Sequence, residues 1–213
     1  MQNITQATTS QGWIVSYADS ILPPIFSMLA ITSTVLIFVG LVGAAIAIGA
    51  ILWSIVHPAT RIWPPVQYSR ETTLIVWGTT LLLIVSIFGL GVIGWGQWEI
   101  PYTVRFGVGT TLTVVGNVGV WYEVTRFGFK QTSGAIGTLK TTGLYRYSRN
   151  PQYVSDIVLL LGWALLFASL VAWPVILATI IVLLIAPLSE EIWMEEHYGE
   201  AYLKYKSQVR RYI

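Results

Sequence analysis

Two short segments in the last third of the chain hold side chains that suit the binding of a small polar ligand. The first, GTLKTTGLYRYSRNPQY at residues 137–153, combines glycines, hydroxyls, tyrosines and an Asn-Pro step. Glycine lets a backbone approach a ligand closely, and the residue before a proline favours an extended conformation ahead of a helix start. The second segment is the adjacent pair Glu190 and Glu191. The loop can therefore wrap a polar ligand, and a carboxylate can accept hydrogen bonds from its hydroxyl or ammonium groups.

The elements between these two segments must bring them together. Apolar runs at residues 154–171 and 174–188 are separated only by Ala172 and Trp173, which predicts a tight antiparallel helical hairpin. Because a short hairpin places its two ends on the same membrane face, we expect Tyr153 and Glu190 to be near neighbours. A carboxylate pair alone is typical of a solvated helix end, so it is the alignment with the loop that favours a shared site.

The composition indicates a membrane protein. The 213 residues are 54% hydrophobic and have a mean hydropathy of +0.67. Aromatic residues, among them Trp53 and Trp63, lie near the ends of apolar runs, as in the aromatic belts of membrane proteins. Crossing the hydrocarbon takes about 20 helical residues, so we expect an all-α polytopic membrane protein with about five transmembrane helices. The apolar runs are residues 25–56, 72–95, 103–124, 154–171 and 174–188.

These spans form one predicted membrane domain over residues 1–213. Three spans lie in residues 1–136, and the loop, the hairpin and a tail lie in residues 137–213. The tail begins at residue 189 and is predicted to form a cytosolic amphipathic helix. Its residues at helical spacing are Met194, Tyr198, Tyr202 and Tyr205.

The distribution of Lys and Arg predicts the orientation, because these residues gather in cytoplasmic loops. They are concentrated in residues 57–71, in residues 125–153 and in the tail. A five-span arrangement puts all three segments on one side. We therefore expect the N-terminus outside, and the C-terminus and the active site in the cytosol.

Several classes of function are not expected. The chain has no cysteine and only two histidines, His57 and His197, so we predict no thiol catalysis and no metal site built by the protein. A net charge of +2, with the basic residues dispersed, predicts no nucleic-acid partner. The sequence carries no signal for an oligomeric state.

Glycines and isolated charges inside the spans have structural interpretations. The GLGVIG stretch at residues 89–94 matches a dinucleotide-binding pattern, but its place inside a span favours close helix packing. The same reading applies to other glycines in the spans, namely Gly40, Gly43, Gly107, Gly116 and Gly119. Arg105 and Glu123 lie near span ends, where their side chains can extend to the membrane surface. Asp156 is expected to pair with Arg149 or to cap its helix.

The last third of the chain, about residues 137–213, resembles the isoprenylcysteine carboxyl methyltransferase and phospholipid methyltransferase family of integral membrane enzymes. That family has a stretch T-L-x-x-x-G-x-Y-x-x-x-R-H-P-x-Y, then a hairpin, then E-E-x-x-L-x-x-x-F-G-x-x-Y-x-x-Y. The residues at these positions here are Thr138, Leu139, Gly143, Tyr145, Arg149, Asn150, Pro151, Tyr153, Glu190, Glu191, Met194, Tyr198, Gly199, Tyr202 and Tyr205. Residues 1–136 match only in being transmembrane.

The resemblance implies S-adenosylmethionine as cofactor, bound at the cytosolic edge, and a lipophilic substrate that enters from the bilayer. The cofactor contacts it implies are Gly137, Thr138, Leu139, Lys140, Tyr145, Asn150, Pro151, Gln152, Tyr153 and Glu190. Arg149, Asn150 and Glu190 are expected to orient the reactants, and no catalytic residue and no metal are assigned. In such a transfer the enzyme mainly orients the methyl donor and the nucleophile and excludes water.

Two departures from the family pattern concern the substrate. Asn150 stands where histidine is usual, which removes a titratable ring and retains hydrogen-bonding capacity. Ala186 stands where the isoprenylcysteine enzymes have an arginine that is thought to engage the substrate carboxylate. An isoprenylcysteine, a phospholipid amine, another lipophilic acid and a small amphiphile all remain candidates for the methyl acceptor.

Two other functions remain open. Membrane sterol and steroid reductases, which use NADPH, have a similar Arg-x-Pro/Asn-x-Tyr step followed by an acid, here Tyr153 to Asp156. A lipid-binding protein that contacts membrane lipids through Lys140, Arg146 and Arg149 would account for the basic loop. The glutamate pair and the Tyr198-Gly199 step favour the methyltransferases.

Overall fold

The regular structure of the chain is helical. The computed structural model describes residues 2–67 and 69–213, and the side chains of residues 23–67, 69–126, 128 and 131–213. Within these residues there are helices and no strand, which confirms the predicted all-α class. The α-helices are α1 (Gln2–Val56), α2 (Arg70–Ile93), α3 (Gly109–Phe127), α4 (Phe129–Thr132), α5 (Pro151–Phe167), α6 (Trp173–Tyr198) and α7 (Glu200–Gln208). Shorter turns of helix lie at Pro58–Thr60, at Thr103–Val108, which leads directly into α3, and at Gly143–Arg146.

Three helices among the described residues are long and apolar enough to cross a membrane. They are Pro23–Val56 within α1, Arg70–Ile93 and Trp173–Tyr198, and they correspond to the first, second and fifth predicted spans. The helix α5 is apolar but has only 17 residues, and α3 carries several threonines and glycines. The third and fourth spans therefore stay predictions.

The hairpin turn differs from its predicted position. The sequence predicted a connection of Ala172 and Trp173, whereas α5 ends at Phe167 and α6 already begins at Trp173. Ala168 takes a left-handed conformation with φ of 50°, and its carbonyl accepts a hydrogen bond from the Trp98 amide at 2.8 Å. The hydrogen bond to the turn after α2 thus ends α5 early, because the backbone conformation at Ala168 is not that of an α-helix.

Two sets of helix contacts build the molecule. The core joins α1, α2, α5, α6 and the turn before α6 through Ala44, Leu83, Ile87, Leu90, Leu160, Ala164, Ala172, Val175 and Ile176. On the other side of α5, α3 packs at backbone distance. A β-carbon on Gly116 would lie 2.4 Å from the Leu159 amide nitrogen, and one on Gly162 would lie 2.4 Å from the Thr113 amide nitrogen. Larger residues at these glycines would force α3 and α5 apart.

The predicted role of glycines in helix packing is confirmed at most positions and wrong at one. Added β-carbons would lie between 2.2 and 2.9 Å from a neighbouring atom at Gly40, Gly89, Gly91, Gly94, Gly116 and Gly119. At Gly43 the nearest atom would be at 3.6 Å, an ordinary contact. At Gly107 nothing lies within 4 Å, so this glycine does not mark a helix contact among the described residues.

The tail is divided between two helices. The helix α6 continues past Glu190 to Tyr198, and Gly199, with φ of 52°, separates it from α7. Tyr202 and Tyr205 on α7 are buried, whereas most of the residues around them are exposed. The buried tyrosines turn toward the loop that precedes α5, so the tail packs on the loop.

Candidate functional site

The side chains at the two ends of the hairpin are in contact. Tyr153 lies in the first turn of α5, and its hydroxyl donates a hydrogen bond to Oε1 of Glu190 near the end of α6. The indole nitrogen of Trp63 donates to the same oxygen at 2.6 Å. Among the described residues nothing donates to Oε2 of Glu190. The expected proximity of Tyr153 and Glu190 is confirmed, and one carboxylate oxygen remains as an acceptor for a ligand.

Trp63 is a residue of this site that the sequence did not identify. It was interpreted as part of the aromatic belt, but its indole nitrogen points to Glu190. The segment that carries it is anchored because Oγ of Ser54 on α1 accepts hydrogen bonds from the Ile62 and Trp63 amides at 2.9 Å each. Its position in a basic loop on the predicted cytosolic side was the one available signal.

The second glutamate of the pair has a different role. Glu191 is only 3% exposed. Both nitrogens Nε and Nη2 of Arg211 donate to its carboxylate, at 2.8 and 2.9 Å. The buried Arg149 lies 3.4 Å from the same carboxylate, and Lys206 lies at 3.8 Å. The hydrogen bonds that Arg211 donates to Glu191 also raise the pKa of Arg211, so Glu191 holds residue 211 against the loop.

The expected pairing of Arg149 with Asp156 is wrong, because Arg149 faces Glu191. Asp156 makes no hydrogen bond or ion pair with the described residues. It does not cap α5 either, since that helix begins at Pro151, five residues earlier. Asp156 lies one turn further along α5 than Tyr153.

Backbone contacts tie the loop to the tail, and we call this set the loop–tail clasp (residues 137–150 with residues 198–211). The Arg149 amide donates to the Arg210 carbonyl at 2.9 Å. The Asn150 side-chain amide donates to the Arg211 carbonyl at 3.0 Å, and the Ser148 hydroxyl donates to the same carbonyl at 3.3 Å. The nitrogen of Asn150 is thereby engaged by the protein itself, which leaves its side-chain oxygen for other partners.

Two tyrosines of the tail complete the clasp. The Tyr205 hydroxyl donates to the Tyr145 carbonyl at 2.7 Å, and the Tyr198 hydroxyl donates to the Gly137 carbonyl at 2.7 Å. Burial raises the pKa of Tyr205 to about 12. Both phenols therefore hold the loop in place as neutral donors at neutral pH.

The charges of two carboxylates act on Tyr145. Burial raises its pKa, and the negative charges of Glu123 and Glu190 raise it further. Glu123 was expected to extend to the membrane surface, and this expectation is wrong. Glu123 is 1% exposed, and neither of its carboxylate oxygens has a hydrogen-bond partner among the described residues. The reason is that the face of α3 that continues from Gly116 to Glu123 is the face packed on α5 and the loop.

The remaining predicted residues differ in burial and in their contacts. The Gln131 side chain covers the backbone at Gly137, where an added β-carbon would meet its Oε1 at 2.2 Å. Thr138 is exposed, and Leu139, Lys140 and Gln152 are partly buried. Pro151 is buried and starts α5. Tyr153 and Glu190 are thus in contact with each other, and Tyr145 lies near them. Tyr198 connects Gly137 to α6.

Comparisons with known proteins find a family model and partial relatives. Residues 102–201 match the family model described as phospholipid methyltransferase. The steroid 5-alpha-reductase DET2 of Solanum lycopersicum is 28% identical over 109 residues, which is 51% of this chain and 42% of that protein. An uncharacterized protein of Haemophilus influenzae is 32% identical over 63 residues, 29% of this chain and 100% of that protein. The match thus covers less than half of the reductase, and no solved structure matches.

Proposed function

Because this chain belongs to the phospholipid methyltransferase family through residues 102–201, we propose that it transfers a methyl group from S-adenosylmethionine to a lipophilic acceptor in the membrane. The observation that supports this most directly is the position of Glu190. Its carboxylate is held by Tyr153 and Trp63 at the junction of the hairpin and the clasp. When bound there, the cofactor supplies an electrophilic methyl group on a sulfonium.

The residues around Glu190 fit this cofactor chemically. The free oxygen of Glu190 can accept a hydrogen bond from a ribose hydroxyl or an ammonium group, and the rings of Trp63, Tyr145 and Tyr153 suit a cationic sulfonium. The proposed contacts are Gly137, Thr138, Leu139, Lys140, Tyr145, Asn150, Pro151, Gln152, Tyr153 and Glu190, together with Trp63. Asn150 would contribute through its side-chain oxygen, because its nitrogen is bonded to the Arg211 carbonyl. Arg149 would act indirectly, by holding the loop on Glu191.

A lipophilic acceptor is supported by a groove on the side of the molecule. The groove has a volume of about 260 Å³ and lies between α3, α5 and the C-terminal residues. Its lining is largely apolar, with Val115, Val154 and Val158 from the two helices. We propose that an acyl or prenyl chain enters from the bilayer along this groove while the polar head reaches the clasp.

The proposed topology has five spans, with the N-terminus outside and with the clasp and α7 in the cytosol. It rests on the Lys and Arg distribution, and the absence of cysteine from the sequence makes it testable by labelling. We would introduce one cysteine at a time, Ser207→Cys on α7 and Glu99→Cys in the turn after α2; both positions are exposed. An impermeant maleimide added to intact cells should label only the Glu99→Cys variant. Labelling of both variants, or of Ser207→Cys alone, would refute this topology.

The reaction itself is tested with methyl-labelled S-adenosylmethionine and a total lipid extract. We expect the purified protein to transfer label to a lipid-soluble product, and we expect Glu190→Gln to lose this activity. Glu200→Gln, which changes an exposed carboxylate on α7, is the matched control and should retain it. Absence of labelled product from the wild type, under conditions in which it binds S-adenosylhomocysteine, would refute the proposed reaction.

A second candidate function is a reductase that uses NADPH. It is favoured by the match to the steroid 5-alpha-reductase DET2 and by the step from Tyr153 to Asp156. The two functions differ in the nucleotide that stabilises the folded protein, because a ligand raises stability only if it binds the native state. Stabilisation by S-adenosylhomocysteine without a response to NADPH supports the methyltransferase, and the reverse result supports the reductase.

A lipid-binding protein without catalysis is the least supported alternative. Of the basic loop residues assigned to headgroups, Arg149 is buried on Glu191, whereas Arg146 is exposed. This function is retained only if neither nucleotide stabilises the protein.

A further inference from the structure

The connection between α1 and α2 contacts the proposed cofactor site, and we call its residues 58–66 the strap. The only charged residue of the strap is Arg61. Nη2 of Arg61 donates to Oε2 of Glu196 on α6 at 2.5 Å. Two residues later in the strap, Trp63 donates to Glu190 on the same helix at 2.6 Å. The strap therefore contacts the cytosolic part of α6 at two points, and one of them is the proposed cofactor ligand Glu190.

The strap also contacts the loop that is proposed to hold the cofactor. A β-carbon on Gly134 would lie 2.6 Å from Cδ of Pro65 and 3.1 Å from Cζ3 of Trp63. Gly134 lies three residues before Gly137, where the proposed cofactor contacts of the loop begin. Because the strap contacts the loop at Gly134 and α6 at Glu190, it bridges the two segments that would hold the cofactor. A ligand bound between these segments has less access to water while the strap stays in place.

The ion pair between the strap and α6 is weak enough to open, and we call the Arg61–Glu196 pair the latch. The Glu196 side chain is 47% exposed and the Arg61 side chain is 14% exposed. A partly exposed ion pair changes an equilibrium by about fivefold or less. The start of the strap is attached separately to α1, where the indole nitrogen of Trp53 donates to the Thr60 carbonyl at 3.1 Å. Loss of the latch therefore favours opening of the strap without detaching its start.

We propose that Arg61 is a positioning residue: through the latch it holds the strap closed over the cofactor, and the latch opens when the cofactor enters or leaves. Arg61 acts through Trp63, which it keeps on Glu190, and does not itself contact the cofactor. The proposal rests on the cofactor site proposed above and adds control of cofactor exchange to it. The strap lies outside residues 102–201, so the family match does not account for it.

The exchange kinetics of radiolabelled S-adenosylhomocysteine on the purified protein test the latch. Arg61→Glu replaces the attraction to Glu196 by a repulsion, so the strap should be open for a larger fraction of the time. We expect the association and dissociation rate constants both to rise by about two- to fivefold, the effect of losing a partly exposed ion pair. The matched control is Arg70→Glu, the same change of charge at an exposed position at the start of α2, which should leave both rate constants unchanged.

A charge swap separates the latch from a general structural role of Arg61. The double variant Arg61→Glu with Glu196→Arg restores the attraction in the opposite sense, so both rate constants should return to their wild-type values. A site that is merely damaged would release the ligand faster and bind it more slowly. Faster dissociation with slower association, no recovery in the double variant, or equal rate constants in Arg61→Glu and the wild type would overturn the proposal.

A cysteine at position 54 measures the opening of the strap without a cofactor. The chain contains no cysteine, and Ser54 is 4% exposed. Its Oγ accepts hydrogen bonds from the Ile62 and Trp63 amides of the strap, so opening of the strap uncovers this position. A soluble maleimide should label Ser54→Cys slowly, and about two- to fivefold faster when Arg61→Glu is added. Addition of Arg70→Glu should not change the labelling rate.

The two measurements distinguish failure of this inference from failure of the proposed function. If the wild type binds S-adenosylhomocysteine and Arg61→Glu changes neither its exchange nor the labelling of Ser54→Cys, the latch is refuted and the proposed methyltransferase is retained. If the wild type does not bind S-adenosylhomocysteine but Arg61→Glu accelerates the labelling, the latch is supported and the proposed cofactor is refuted. Faster exchange together with faster labelling supports both.

Discussion

Two neighbouring arginines near the C-terminus test the loop–tail clasp, because only one of them contacts Glu191. Arg211 donates two hydrogen bonds to this carboxylate, at 2.8 and 2.9 Å. The Arg210 side chain is exposed and forms no ion pair with the described residues. Arg211→Gln and Arg210→Gln change the net charge equally, at adjacent positions, so any difference between them reports the contact with Glu191.

The expected magnitude follows from what each substitution leaves behind. Hydrogen bonds to charged groups contribute about 1.5–3 kcal/mol. The Arg211 side chain is 37% exposed, and Arg149 remains beside Glu191, so we expect Arg211→Gln to cost about 2 kcal/mol. Glu191→Gln leaves the buried Arg149 without its anion and should cost about 3–5 kcal/mol. Arg210→Gln should stay within about 0.5 kcal/mol of the wild type.

Thermal unfolding in a mild detergent measures these differences. At about 2–4 °C per kcal/mol for a chain of this size, Arg211→Gln should lower the unfolding temperature by about 4–8 °C, and Glu191→Gln by about 6–20 °C. Arg210→Gln should change it by no more than about 2 °C. Equal shifts for the two arginine variants would refute the reasoning, because they would show that general charge, and not the contact with Glu191, determines stability.

Three further predictions test other contacts. Gly116→Ala should destabilise the protein by about 1–3 kcal/mol because a β-carbon would collide with the α5 backbone. The control Gly78→Ala, with nothing within 4 Å of the added carbon, should be neutral or stabilising by up to about 1 kcal/mol. Thermal unfolding compares the two variants. Tyr205→Phe should cost about 1 kcal/mol at neutral pH through its lost hydrogen bond. Trp63→Phe should weaken binding of S-adenosylhomocysteine by about 10-fold, since Glu190 loses the indole donor.

The Tyr205 prediction has a pH dependence with a defined sign. The pKa of Tyr205 is raised by burial to about 12, above the value of about 10 in an unfolded chain. The folded state therefore retains this proton where the unfolded state loses it, and its contribution to stability is complete below pH 10 and lost between pH 10 and 12. Denaturant titrations should show a shallower decline across this interval for Tyr205→Phe than for the wild type. Parallel declines would contradict the assignment.

The predictions for Gly116→Ala and Trp63→Phe can also be contradicted by experiment. If Gly116→Ala and Gly78→Ala unfold alike, α3 and α5 do not pack at backbone distance. For Trp63→Phe, the control is Trp53→Phe, whose indole donates to the Thr60 carbonyl and does not contact Glu190. Equal affinity for S-adenosylhomocysteine in both variants would remove Trp63 from the site.

The sequence predicts the hairpin and the Tyr153–Glu190 contact because both follow from adjacency along the chain. Two apolar runs with a short connection leave little choice in their arrangement, and the residues at their outer ends must then meet. The position of the turn was less predictable. The helix α5 stops at Phe167 because the following backbone bonds to the turn after α2, and no local pattern encodes that contact.

The separate roles of Glu190 and Glu191 could not be predicted from their adjacency. Neighbouring residues on an α-helix point about 100° apart, so one side chain meets Trp63 and the other meets Arg211, and only the packed structure shows which. Trp63 was missed for a related reason. It is 127 residues away from Glu190 along the chain, and a tryptophan near the end of a span is equally typical of the membrane interface.

Glu123 shows how a packed neighbour changes the meaning of a charged residue. A glutamate near the end of a span can reach water along a free helix face. In this protein α3 turns that face toward α5, where Gly116 allows contact at backbone distance. The side chain is then enclosed, which a single sequence does not reveal because helical periodicity identifies a face and not the helix that covers it.

Equilibrium binding of radiolabelled S-adenosylhomocysteine tests the central claim most directly, namely that Glu190 binds the cofactor. The purified wild type should bind it saturably, and Glu200→Gln should bind it with an affinity within about twofold of the wild type. Glu190→Gln should bind it at least about 10-fold more weakly, because it loses a charged acceptor, while remaining folded. Undiminished affinity in a folded Glu190→Gln variant, or no saturable binding by the wild type, would contradict the account.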